Sequence, residues 1–60
     1  MLGLGRMKNY VVTFSANNGS YQVVAGTRFD ISKEGVLTIY SANTAVAAFN
    51  PAFWKGISEQ

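Results

Sequence analysis

Apolar residues keep one parity across successive turns of this chain, and a β-strand places alternate side chains on opposite faces. Tyr10, Val12 and Phe14 form one set, followed by Tyr21, Val23, Ala25, Phe29 and Ile31, then Leu37 and Ile39, then Val46 and Ala48. Continued through each turn, that alternation specifies sheet structure with one apolar face. It constrains the fold far more than it constrains the chemistry.

The punctuation predicts where the strands meet. Asn9 to Ala16 is rich in β-branched and aromatic residues and is followed by Asn17-Asn18-Gly19-Ser20. Asn-Gly between alternating apolar runs signals a type I′ hairpin, whose two central residues both need positive φ. A two-residue loop at Asn18-Gly19 predicts the pairs Ala16 with Tyr21, Phe14 with Val23 and Val12 with Ala25. The second strand should run from Ser20 to about Ser32 and bend at Gly26, since a glycine inside a strand often marks a bulge or bend. Its first half would pair with strand one and its second half with strand three.

Lys33-Glu34-Gly35 suits a three-residue loop with Gly35 left-handed. That alignment puts Ile31 opposite Leu37, Phe29 opposite Ile39, Asp30 opposite Thr38 and Arg28 opposite Tyr40. Strand three is predicted at 36–41 and strand four at 45–49, with the chain turning at Ala42-Asn43-Thr44. Pro51 lacks a donor for a sheet ladder and ends strand four. The aromatic run Ala52-Phe53-Trp54 is then expected to form a helical turn or plug over one end of the sheet, with Ser58-Glu59-Gln60 frayed. The prediction is an all-β domain over 9–60, preceded by a flexible leader over 1–8. It is a four-stranded antiparallel meander, strongly twisted or partly open like a small barrel, with a C-terminal aromatic plug. The long second strand and tight hairpins resemble small bent-strand barrels such as SH3-like domains, a likeness of fold that transfers no function.

Sixty residues bury too little surface to be comfortably stable alone, so disulfides, metal or a second copy commonly supplement such domains. The sequence contains neither Cys nor His. Disulfides, thiolate nucleophiles, cysteine-rich zinc sites and a Ser-His relay are therefore excluded. Asp30, Glu34 and Glu59 are dispersed, whereas paired-carboxylate catalysis needs two carboxyls held about 5–9.5 Å apart. Gly3-Leu4-Gly5 has no preceding strand to make it a phosphate loop. No enzyme, cofactor or metal is expected.

No segment is long and apolar enough to span a membrane as a helix, and the lack of Cys fits a cytoplasmic setting. The net charge of +2 comes from five Lys/Arg and three Asp/Glu. Under the continuous-parity alignment, the face opposite the core carries Val11, Val24, Val36, Tyr40 and Phe49, more apolar than a solvated face should be. The leading expectation is a non-enzymatic protein-interaction module that binds a second copy, with a dimer favoured, or another protein. Its size would suit an accessory or inhibitor protein of a bacterium or phage. Val11, Val24, Tyr40, Phe49 and Trp54 are the expected contacts. The alternative is a small nucleic-acid-binding barrel using Arg28, Lys33, Tyr40 and Lys55, although single-strand binders usually line a basic groove with several aromatics.

Overall fold

The computed structural model describes residues 6–15 and 19–60. Six strands occur among them: β1 (Lys8–Phe14), β2 (Tyr21–Gly26), β3 (Arg28–Ile31), β4 (Leu37–Ser41), β5 (Thr44–Phe49) and β6 (Trp54–Glu59). They form two three-stranded antiparallel sheets, ordered β2-β1-β6 and β3-β4-β5, which do not close into a barrel. The all-β expectation holds, but the four-stranded meander does not. The described residues contain no helix long and apolar enough to cross a membrane. Residues 1–5 of the expected leader lie outside the described residues. Lys8 already belongs to β1, and Ser41 Oγ lies 3.7 Å from Met7 Sδ.

The core lies between the two central strands. Tyr10 and Val12 of β1 and Leu37 and Ile39 of β4 are buried, the last three completely. Each fully buried aliphatic side chain contributes about 1.5–3 kcal/mol relative to exposure. Phe14, Val24, Ala47, Phe49, Trp54 and Ile57 pack around them half-buried. Tyr10 meets the Phe29 ring edge-on at 5.5 Å, and Phe14 meets Phe49 at 5.8 Å. These aromatic pairs knit one sheet to the other.

The β3–β4 hairpin has the predicted register, with Arg28 opposite Tyr40, Phe29 opposite Ile39, Asp30 opposite Thr38 and Ile31 opposite Leu37. Its loop is Lys33-Glu34-Gly35. Ser32 N donates to Val36 O at 3.0 Å, Gly35 N donates to Ser32 O at 2.9 Å, and Gly35 has φ +92°. The bent second strand is also present, as β2 and β3 broken at Thr27, with one half in each sheet.

Three alignments differ from the sequence-based expectation. In the first hairpin, Tyr10 opposes Val24, Val11 opposes Val23 and Thr13 opposes Tyr21. Phe14 N donates to Ser20 O, so the connection spans 15–19 rather than Asn18-Gly19 alone. Ala16, Asn17 and Asn18 lie outside the described residues. The inward residues of β2 are therefore Val24 and Gly26, not Tyr21, Val23 and Ala25. The cause is a parity switch at the bend. Gly26 is buried where β4 passes so closely that a Cβ would lie 2.6 Å from Ile39 Cγ2 and 2.7 Å from Tyr40 O. Only a residue without a side chain fits there, which fixes Gly26 on the inner face. Beyond it Phe29 and Ile31 share the face of Ile39 and Leu37, while remaining 42% and 45% exposed.

In β5, Leu37 opposes Phe49 and Ile39 opposes Ala47, so Phe49 and Ala47 turn inward while Val46 is 49% exposed. A register shift follows between Ile39 and Tyr40, whose partners are Ala47 and Ala45, and Val46 is the extra residue. A bulge breaks the alternation on which a parity count rests. The same effect hid β6. Phe14 opposes Trp54, but Thr13 opposes Gly56 and Val12 opposes Ile57, leaving Lys55 as the inserted residue. Trp54 and Ile57 can thus share the core side despite their odd spacing. The expected plug and frayed tail are instead a strand on β1, and Gln60 N donates to Asn9 O at 2.8 Å.

Candidate interaction surface

The outer faces of the two sheets differ in chemistry. On sheet β3-β4-β5 the outer face carries Arg28 and Asp30 on β3, with Thr38 and Tyr40 opposite. The Arg28 guanidinium carbon lies 4.0 Å from the Tyr40 ring centre. This cation–π pair occupies both groups locally. Tyr40 is anchored from behind by Thr27, whose N–H donates to Tyr40 O at 2.7 Å and whose hydroxyl donates to the same oxygen at 3.3 Å.

On sheet β2-β1-β6 the outer face follows from the pairing. Asn9, Val11 and Thr13 of β1 lie beside Ala25, Val23 and Tyr21 of β2. None is charged. Tyr21 is 65% exposed and Val23 43%. Ser58 of β6 borders Val11 on the other side. β2 contributes no charge to this surface, and its polar residue Gln22 has the opposite parity.

The residues expected from sequence are therefore distributed over different parts of the fold. Val11 is half-buried on the outer face of β2-β1-β6. Val24, Phe49 and Trp54 pack half-buried against the core. The Trp54 indole N–H also donates to Gly35 O at 2.9 Å, which ties β6 to the β3–β4 loop. Tyr40 lies on the other sheet under Arg28. Of the basic set, Lys33 sits in the β3–β4 loop and Lys55 in β6, so only Arg28 and Tyr40 are in contact. Tyr21 and Val23 were missed because parity was carried unchanged through Gly26. The signal that could have found them is Gly26 itself, read as an inward position needing no side chain.

Shallow depressions elsewhere among the described residues include two of note. One, of about 560 Å3, is lined by Phe14, Ser15, Ser20, Ala52 and Phe53. Asn50 shapes its wall, its side-chain oxygen accepting from Ala52 N at 2.8 Å and its carbonyl from Phe53 N at 2.8 Å. The other, of about 310 Å3, lies between Arg6, Met7, Lys8, Asn9, Glu59 and Gln60. There Lys8 Nζ lies 3.7 Å from Glu59 Oε1, both side chains well exposed to solvent. The first lining contains no His, Lys or carboxylate that could activate a nucleophile. Among the described residues no group of three or more acidic side chains is placed to hold a metal ion.

Comparison with protein-family models, with curated proteins and with solved structures finds no match to this chain.

Proposed function

We propose that the chain is a non-enzymatic protein-interaction module that associates with a second copy of itself. The observation that supports this reading is the uncharged outer face shared by β1 and β2, where Tyr21 and Val23 are left exposed beside Val11. A solvated antiparallel face normally alternates to polar residues. A contiguous apolar patch of a few hundred Å2 marks an interaction surface. The small core gives association a second role, because four buried side chains among the described residues are a thin basis for independent stability. Val11, Tyr21 and Val23 are the contacts this reading favours.

Light scattering across a dilution series tests it. The expected result is twice the chain mass at high concentration, falling toward the single-chain mass on dilution. A folded single chain throughout would refute self-association. Titration with a random oligonucleotide at low salt is the companion measurement. Binding that weakens steeply with added salt would favour the nucleic-acid reading instead, because phosphate contacts release counterions.

A further inference from the structure

We infer that β2 is the strand through which two copies join, pairing antiparallel with its own counterpart to make one six-stranded sheet. The inference rests on the self-association reading above and moves the contact from the outer face to the edge of β2, where Tyr21 and Val23 take part and Val11 of β1 does not.

The backbone leaves an unfilled ladder there. In an antiparallel pair, successive residues direct their N–H and C=O groups to alternate sides of the strand. Phe14 N donates to Ser20 O, so Ser20, Gln22 and Val24 address β1. Tyr21, Val23 and Ala25 consequently address the other side, where β2 is the outermost strand of its sheet. Past the bend, Thr27 N donates to Tyr40 O and the same side is taken up by β4. Among the described residues, one edge of the long strand is thus satisfied by β4 in its second half and open in its first.

The other sheet edges carry features that oppose pairing, and β2 does not. Strand β3 has four residues, including Arg28 and Asp30. Strand β5 is bulged at Val46. Strand β6 is bulged at Lys55 and ends in Glu59. Short length, charge and bulges are the usual protections of an edge. Strand β2, Tyr-Gln-Val-Val-Ala-Gly, has six residues, no charge, no proline and no register shift against β1.

A second copy is the partner that this sequence matches. A two-fold axis perpendicular to the sheet and centred on Val23 sets Val23 against Val23 of the other copy and Tyr21 against its Ala25. All three side chains stay on the outer face. The large tyrosine meets a small alanine, and each pair exchanges hydrogen bonds from the amides left open. With no charge on β2, the symmetric contact brings no like charges together. The uncharged outer face of β1 and β2 then continues across the junction.

Two single variants test this in the full chain. Val23→Lys places two ammonium groups side by side at the axis and should raise the dissociation constant at least tenfold while circular dichroism stays unchanged. Val23→Cys introduces a lone thiol into a chain that has none. Hydrogen-bonded antiparallel pairs have Cα atoms about 5.5 Å apart, within disulfide range. Mild oxidation should therefore cross-link Val23→Cys at least tenfold faster than Ala48→Cys, an exposed control on β5. If the wild type dimerises but neither variant behaves this way, the edge assignment is overturned and self-association uses another surface. If the wild type stays monomeric up to millimolar concentration, both the edge and the self-association reading are overturned. Should Val23→Lys fail to fold, the cross-linking comparison decides.

Discussion

The two hairpins meet at Gly26 but set their registers differently. In β3–β4 the loop carries its own instructions. Ser32 and Val36 close it, Ser32 Oγ accepts from Val36 N at 3.1 Å, and Gly35 takes the left-handed position. Tertiary contacts then agree with that local preference, since Trp54 bonds to Gly35 O. In β1–β2 the connection spans five residues, and Gly19 has φ +61° with open space where a Cβ would stand. There the register is imposed from outside, by the close pass of β4 over Gly26. A turn motif fixes register when loop bonds and flanking parity point the same way. Where the loop is longer, packing chooses.

Substitutions can break or sharpen this contrast. The largest expected effect is in the shared core: Ile39→Ala, at a fully buried site, should cost about 2–5 kcal/mol, enough to leave so small a domain largely unfolded by denaturant titration. Gly26→Ala should follow at about 1–3 kcal/mol or more, because the new methyl would meet the Tyr40 carbonyl as well as Ile39. A loss well below that range would show that β4 does not press on the bend. The loop glycines should then separate the hairpins. Gly35→Ala, strained by its φ and 3.0 Å from Pro51 Cβ, should cost about 1–2 kcal/mol. Gly19→Asn, with open space around it and a residue that tolerates this conformation, should change the thermal midpoint little. Equal losses at both sites would erase the distinction drawn here. One substitution should give a modest gain. Ala42 adopts φ +58° in the β4–β5 turn, so Ala42→Gly should raise stability by about 0.4–1 kcal/mol.

Much of the second half of the fold was legible in the residues. The loop at Lys33-Glu34-Gly35, the pairing of Phe29 with Ile39 and the bend at Gly26 all follow from local rules. So does the Arg28–Tyr40 contact, which needs only the correct register. The strands whose register or existence differed each contain or adjoin an interruption of the two-residue period. β2 lies before the parity switch, β5 contains the bulge at Val46, and β6 contains the bulge at Lys55. A bulge adds one residue without changing composition, so alternation alone cannot locate it. The interaction surface inherits that difficulty. Val11 lies on the outer face under either register of β2, whereas Tyr21 and Val23 change face with it.

The side of β2 that turns outward decides both the packing of the core and the identity of the joining surface. Cross-strand nuclear Overhauser effects between Hα protons read it directly. The structure predicts strong Val11–Val23 and Thr13–Tyr21 contacts, since these residues face each other between the hydrogen-bonded pairs. Finding Phe14 across from Val23 instead, as a tight Asn18-Gly19 turn would require, would contradict the account.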